Sequence, residues 1–336
     1  MDWHSAAAQS AYIDLRRLAM DEAAADIRGT IETRERNGRR YLYERRRIGS
    51  DVIARYLGED SEPLQDRIAR AEALRLQARE RRDTRTRLVR LLRAEGYRSV
   101  DRATGSLLAA FANAGLFRLG GTLVGTVAFS LYEGELGVRL SRDDIAQTGD
   151  IDIASFERLS VCLDDRVTET PGDILARMDF APVPGVFDRQ VWRWTQSASE
   201  TEVEFLTAAF GNERVTPLPA LGVSAQALNY LEFLIAEPIQ AVALYRSGVL
   251  VQIPRPERFA LHKLIVADRR RDGDGNLKSR KDRAQAEFLI DVLAEDRPDE
   301  LLDAWEDAKG RGPKWRGRLD ATLDRMPRTR EVLEGL

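Results

Sequence analysis

The chain has 336 residues, a net charge of −3 and ordinary apolar and charged fractions, which suits one or two globular domains and gives no overall attraction to nucleic acid or membranes. Its single cysteine, Cys162, and its two histidines exclude an intramolecular disulfide and argue against a zinc site built from His and Cys. No apolar run reaches membrane-spanning length, and the N-terminus lacks a basic leader followed by an apolar core. We therefore expect a cytoplasmic protein with no membrane partner.

The N-terminal part predicts a helix over 3–27, followed by a three-stranded antiparallel meander over 30–57. Asn37-Gly38, between two alternating segments, is typical of a tight hairpin turn, and Gly49-Ser50 offers a second turn.

The meander region is strongly basic. Residues 28–57 contain nine arginines and four acidic residues, with Tyr41, Tyr43 and Tyr56 interleaved. Arginines with aromatic rings on a small sheet favour contact with nucleic acid. The alternative is a solvated arginine face whose tyrosines pack on the adjacent helix.

The remaining expected elements follow from hydrophobic spacing and from glycine and proline positions. They are a long helix or helical hairpin at 63–95, a helix at 101–114, a short helix at 171–178, a hairpin of strands 189–196 and 201–208, helices at 257–271 and 279–295, and two C-terminal helices at 298–309 and 314–334.

Two closely spaced carboxylates are the main chemical signal in the chain. In the segment TGDIDIA, Asp150 and Asp152 are separated by one apolar residue. On a strand they share one face, while Ile151 and Ile153 face the core. Like charges this close repel each other, and a divalent cation is the usual neutralising partner. The structural alternative is that Asp150 only caps a turn after Gly149.

Three segments carry a shared pattern. GGTLVGTVAF has a Gly-Thr pair entering a helix, TGDIDIA has an Asp-x-Asp dyad, and VEFL has a further carboxylate. Together these segments resemble the DNA-polymerase-β-like nucleotidyltransferase superfamily. With VQIPRPERFALHKLIVADRRR and KSRKDRAQAEFL, they are similar to a bacterial family of stand-alone nucleotidyltransferase-fold proteins.

This resemblance implies an α+β fold, with a mixed-sheet nucleotidyltransferase core, a helical C-terminal region and an N-terminal extension of helix and three-stranded meander. We expect the extension at 1–95, the core at 96–215 and the mostly helical region at 216–336.

The resemblance also implies roles for individual residues. Asp150, Asp152 and Glu204 would be the catalytic and metal-binding carboxylates, for Mg²⁺ or Mn²⁺. The residues expected to bind the nucleotide are Gly125, Thr126, Gly121, Lys263, Lys281 and Asp282.

Alternatives remain at four of these positions. Gly120-Gly121, rather than Gly125-Thr126, would face the phosphates if the alignment shifts. Glu202 has the same strand parity as Glu204. The alternative for Lys263 is an ordinary surface lysine with no role in binding. The alternative for Asp282 is a helix capping box formed with Ser279.

The expected function is Mg²⁺-dependent transfer of NMP from an NTP, ATP among the candidates, to a hydroxyl of RNA, protein or a small molecule. Residues 28–57 would contact the nucleic acid, and related families include growth-inhibiting toxins and phage-defence proteins. The rival is a non-catalytic nucleic-acid-binding protein on the same fold. A phosphohydrolase using the same carboxylates is a weaker third possibility.

Overall fold

The structure, a computed structural model, describes residues 1–23, 30–48, 51–140, 150–155, 167–184, 190–197, 201–271 and 275–336. The Gly49-Ser50 turn and Cys162 lie outside the described residues. The chain forms both helices and a mixed sheet, which agrees with the predicted α+β class. Among the described residues, no helix has both the length and the apolarity needed to cross a bilayer.

The helices are numbered in chain order. They are α1 (Ala6–Ala23), α2 (Glu62–Ala94), α3 (Arg102–Ala114), α4 (Gly125–Leu136), α5 (Pro171–Arg177), α6 (Leu231–Leu234), α7 (Pro256–Arg269), α8 (Asn276–Asp296), α9 (Pro298–Gly310), α10 (Pro313–Leu323) and α11 (Pro327–Glu334).

The strands are numbered in the same way. They are β1 (Thr30–Arg36), β2 (Arg39–Ile48), β3 (Asp51–Glu59), β4 (Thr122–Val124), β5 (Ile151–Ala154), β6 (Ala181–Pro184), β7 (Val191–Gln196), β8 (Thr201–Ala208), β9 (Val215–Leu218), β10 (Val223–Leu228), β11 (Ile239–Ala243) and β12 (Val249–Ile253).

The predicted meander is confirmed, with strand order β1-β2-β3 and antiparallel pairing throughout. Asn37 and Gly38 both have positive φ, 53° and 73°, as the expected hairpin turn requires. The segment after the meander is a single helix, α2, rather than a helical hairpin. Leu42 of β2 packs against Leu64 and Ile68 of α2, which attaches the meander to this helix.

The central sheet of the described chain has seven strands, with β4-β5-β8-β10-β9 as its main path. β5, β8 and β10 run parallel, while β4 and β9 are antiparallel edges. β8 pairs with β7 along its first half, which confirms the predicted hairpin, and with β10 along its second half. The largest apolar cluster surrounds this sheet, from Leu107 of α3 to Leu333 of α11.

The prediction of one helix over 314–334 was wrong, because this segment forms α10 and α11. Pro327 has no amide hydrogen to donate inside a helix, so it ends the first helix and occupies the first turn of the next. Pro256, Pro298 and Pro313 begin their helices in the same way.

Candidate active site

The turn between β4 and α4 brings the backbone against a carboxylate. Gly125 has φ of +71°, a conformation that L side chains rarely adopt, and a Cβ atom added there would collide with Oδ2 of Asp152. Glycine at 125 therefore allows both the sharp strand-to-helix turn and the close approach of Asp152. Thr126 follows in the first turn of α4, where backbone N–H groups have no partner within the helix.

The strand register brings Asp152 and Glu204 together. Asp152 lies on β5 opposite Val124 of β4 on one side and opposite Glu204 of β8 on the other. Paired residues on neighbouring strands point to the same face, so both carboxylates lie on one face while Ile151 and Ile153 are buried on the other. Glu202 lies two residues before the position that is paired with Asp152.

The pKa values of the Asp152 and Glu204 carboxyl groups are raised. Burial, and then the charge of Asp150, raises the pKa of Asp152 to about 6. Burial, and then the charge of Asp152, raises the pKa of Glu204 to about 7. Both shifts mean that the ionised carboxylates are partly removed from water and repel one another. At Asp152 and Glu204 the nearby cations do not offset the effects of burial and of the neighbouring carboxylates.

Arg193 of β7 is a basic residue of the site that the sequence analysis did not single out. Its Nη1 lies 3.9 Å from Oε1 of Glu204 and 3.9 Å from Oε2 of Glu202. Strand alternation puts Arg193 on the carboxylate face, opposite Glu204, while Trp194 is buried against Phe205. The alternation of Arg193 and Trp194 along the predicted strand is visible in the sequence, and it could have indicated that Arg193 lies on the face opposite to Trp194.

Asp150 and Asp152 have no ion-pair partner within 4.0 Å among the described residues. The same residues also contain no group of three His, Cys, Asp or Glu side chains arranged to hold a metal ion. The oxygen donors of Asp150, Asp152 and Glu204 are nevertheless the type that Mg²⁺ and Mn²⁺ prefer. The raised pKa values of Asp152 and Glu204 fit the addition of a cation.

Two helices bring lysines to the same region. Lys281 of α8 donates from Nζ to Oγ1 of Thr126 over 2.9 Å. Lys263 of α7 is only 8% exposed, and its Nζ donates to Oδ1 of Asp282 over 2.5 Å. Arg270 Nη1 donates to the other oxygen of Asp282 over 3.1 Å. The alternative of Lys263 as a surface residue was therefore wrong.

The positive charge of this group is itself crowded. Burial lowers the pKa of Lys281, and the charge of Lys263 lowers it further, while Asp282 and Asp150 act in the opposite direction. Lys263 and Arg270 likewise act on Asp152, partly offsetting the rise in its pKa. The lysines and the carboxylates thus interact electrostatically across one site.

Gly121 lies apart from this group. It precedes β4, at the opposite end of the strand from Gly125, and its amide donates to the carbonyl of Leu116 over 3.0 Å. An added Cβ atom would collide with the Leu116 side chain, so glycine here permits close packing in the turn.

The capping-box interpretation of Ser279 and Asp282 was wrong. α8 begins at Asn276 after Gly275, three residues earlier than predicted, so Ser279 lies inside the helix. Its hydroxyl donates to the carbonyl of Ala267 over 2.7 Å and joins α8 to α7. His262 on α7 is partly buried, and burial with the nearby Lys263 lowers its pKa to about 3, so it stays uncharged.

A family model described as Nucleotidyltransferase matches residues 102–310. The matched segment is more than half of the 336 residues. It runs from α3 to the end of α9 and includes every carboxylate and lysine of the candidate site, but not the meander. No curated protein and no solved structure matches the chain.

Proposed function

Since this chain belongs to the nucleotidyltransferase family, we propose that it transfers an NMP from an NTP to an acceptor hydroxyl at Asp150, Asp152 and Glu204, with Mg²⁺ or Mn²⁺. Membership makes it a transferase of the EC 2.7.7 type and favours catalysis over the non-catalytic alternative. The main support for the proposal is the register between β5 and β8, which places Glu204 beside Asp152. Asp152 in turn lies next to Gly125, at the start of α4.

Divalent metal ions, when bound, would stabilise the charge that develops on the attacking and leaving oxygens of the phosphoryl group. Asp150, Asp152 and Glu204 would hold them. Support comes from the oxygen donors of these residues and from the raised pKa values of Asp152 and Glu204. These values indicate carboxylates that repel one another and are stabilised by added positive charge.

The triphosphate of the NTP would bind at the start of α4. The N–H groups of a helix N-terminus and its dipole attract phosphate, and Gly125 makes the sharp turn at which α4 begins. Lys281, which already contacts Thr126, would donate to the same phosphates. Lys263 adds a second positive charge, held in position by Asp282.

Glu204 would also take the proton from the acceptor hydroxyl. A carboxylate with a pKa of about 7 is a better proton acceptor at neutral pH than one at its usual value. Arg193 lies next to it and opposes this rise in pKa. The arginine thus limits the fraction of Glu204 that is already protonated.

The experiment is a transfer assay with each α-labelled NTP, with Mg²⁺ or Mn²⁺, and with total cellular RNA and protein as acceptors. We expect metal-dependent label transfer and release of pyrophosphate. Asp152→Asn and Glu204→Gln should lower the rate by about 100-fold or more, because each removes a charge needed in the transition state.

Glu202→Gln is the matched control, since Glu202 is on the same strand and equally close to Arg193. It should stay within about threefold of the wild type. Absence of transfer with every NTP, or release of free phosphate without transfer, would contradict the proposal. Equal losses for Glu202→Gln and Glu204→Gln would refute the assignment of Glu204.

A further inference from the structure

The meander has one face that α2 does not cover. Leu42 points to α2, so its neighbours Tyr41 and Tyr43 point to the opposite face of β2. Tyr56 of β3 pairs with Tyr43 and therefore lies on the same face. The alternative in which these tyrosines pack on the adjacent helix was therefore wrong.

The three rings form a connected surface. The ring centroids of Tyr43 and Tyr56 are 5.4 Å apart, and those of Tyr41 and Tyr56 are 6.2 Å apart. Tyr56 is 55% exposed although it is a large aromatic residue in the middle of a strand. Tyr41 and Tyr43 are half-buried, and partly exposed rings on the open face of a sheet are suited to stacking against other planar groups.

Arginines surround these rings. Arg34 pairs with Tyr41 across the strands, Arg36 pairs with Arg39, and the guanidinium of Arg34 lies 4.6 Å from the centroid of the Tyr43 ring. Arg45 lies two positions beyond Tyr43 on the same face. This set of Tyr41, Tyr43, Tyr56, Arg34, Arg36, Arg39 and Arg45 is called the tyrosine face below.

The acidic residues next to the tyrosine face, Glu32 and Glu59, do not balance its four arginines. Glu32 accepts from Arg34 over 2.9 Å and lies 3.2 Å from Arg45, and Glu59 lies 3.6 Å from Arg39. Among the described residues, Arg36 has no acidic partner. The face is thus positively charged in a chain whose net charge is −3.

We propose that the tyrosine face binds single-stranded RNA. The bases would stack on Tyr56 and Tyr41, and the phosphates would lie against Arg36, Arg39 and Arg45. A single strand exposes its bases, whereas in a duplex they are stacked inside and cannot reach the side chains of a sheet. RNA adds a 2′-hydroxyl at each nucleotide, for which the phenolic hydroxyls and guanidinium groups are hydrogen-bond partners.

Binding to this face requires neither an NTP nor transfer, so it is tested separately from the proposed function. The measurement is fluorescence anisotropy of a labelled 20-nucleotide oligouridylate at two salt concentrations, without NTP or divalent metal. We expect the affinity to fall as salt rises, because the bound phosphates release counterions.

The variants separate stacking from charge. Tyr56→Ala should weaken binding by about tenfold, while Tyr56→Phe should stay within about twofold because it keeps the ring. Arg36→Glu should weaken binding by about tenfold at low salt. Arg87→Glu is the charge-matched control on an exposed position of α2, and it should bind like the wild type.

Arg36 is exposed on β1, so its replacement tests the face even if Tyr56→Ala disturbs the meander. Circular dichroism and thermal unfolding verify that each variant folds. No detectable binding, or equal losses for Arg36→Glu and Arg87→Glu, would overturn the proposal. Tighter binding of duplex RNA, or of a DNA strand of matching length, would also overturn it.

Discussion

At the scale of single residues, Gly125 has the tightest steric requirement in the site. Both its positive φ and the nearby Oδ2 of Asp152 exclude a side chain. We predict that Gly125→Ala lowers the free energy of unfolding by about 1–2 kcal/mol, the cost of a left-handed conformation for an L residue. It should also lower the transfer rate, since Asp152 must move away.

Gly317→Ala is the control for this measurement by urea unfolding. Gly317 lies within α10, and an added Cβ atom would meet nothing within 4 Å. Alanine should therefore stabilise the protein there by about 0.5–1 kcal/mol. A stable and fully active Gly125→Ala variant would contradict the description of the turn.

Also at the residue scale, the raised pKa of Glu204 predicts a pH dependence of stability. Its pKa is about 7 in the folded protein and 4.5 in the reference state. The folded state therefore binds this proton more tightly, so the group contributes stability that is complete below pH 4.5 and is lost as the pH rises through 7. The pKa of Asp152, raised from 3.8 to about 6, acts in the same direction.

We therefore expect the thermal midpoint of the metal-free wild type to fall between pH 5 and pH 8 more steeply than that of Glu204→Gln. At pH 8 the variant should be the more stable of the two. Adding Mg²⁺ at pH 8 should stabilise the wild type more than the variant. If the thermal midpoints of the two proteins changed in parallel with pH, the pKa of Glu204 would not be raised in the folded protein.

The residue types of the site were predictable from the sequence, but their neighbours were not. Strand alternation predicts that Asp150 and Asp152 share a face, because that is a local property of the backbone. Which of Glu204 and Glu202 lies beside Asp152 depends on the register between β5 and β8. This register is a long-range property, because the two strands are far apart in the sequence. Strand alternation in the sequence places Arg193 on one face of β7, but its pairing with Glu204 depends on the register of the hairpin.

At the scale of elements, α7 and α8 form a unit joined by buried polar contacts. Asp282 is 2% exposed and accepts from both Lys263 and Arg270. Asp282→Ala would leave the Lys263 ammonium buried without its partner. We predict a loss of about 3–5 kcal/mol in the free energy of unfolding, as is usual when one member of a buried pair is removed.

Glu287→Ala provides the comparison, because Glu287 is exposed on the same helix. Its effect should be within about 0.5 kcal/mol. Both variants are measured by urea unfolding. A small effect of Asp282→Ala, similar to that of Glu287→Ala, would mean that the pair does not hold Lys263 in position.

Most elements were predictable, since their signals are local. The Asn37-Gly38 hairpin turn and the hydrophobic spacing of α3 are examples. The start of α8 was misplaced because Ser279 has the composition of a cap while its hydroxyl bonds to Ala267 of the neighbouring helix. The Ser279 hydroxyl thus makes a contact between two helices instead of capping its own helix. The break at Pro327 was a local signal that the prediction did not use.

At the scale of the whole molecule, the N-terminal helices are fixed to the hairpin of β11 and β12. Arg85 of α2 is 7% exposed and donates to the carbonyls of Ser247 and Gly248, over 3.0 Å and 2.5 Å. The hydroxyl of Tyr12 on α1 accepts from the amide of Val242 over 3.0 Å. These contacts connect the meander-bearing extension to the family-matched part of the chain.

We predict that Arg85→Ala lowers the free energy of unfolding by about 2–3 kcal/mol, because buried carbonyls lose a charged donor. Limited proteolysis should then cleave within residues 6–94 faster than in the wild type. Arg87→Ala, two residues along α2 and exposed, should leave both quantities unchanged. Equal protease resistance of the two variants would contradict this anchoring role.

The most direct test of the proposed transfer site is a crystal structure of the protein with Mg²⁺ and a non-hydrolysable NTP analogue. We predict that the triphosphate lies at the N-terminus of α4, within hydrogen-bond distance of Thr126 and Lys281, and that the metal lies between Asp150, Asp152 and Glu204. A triphosphate bound beside Gly120-Gly121, or a metal bound away from these three carboxylates, would contradict the proposed mechanism.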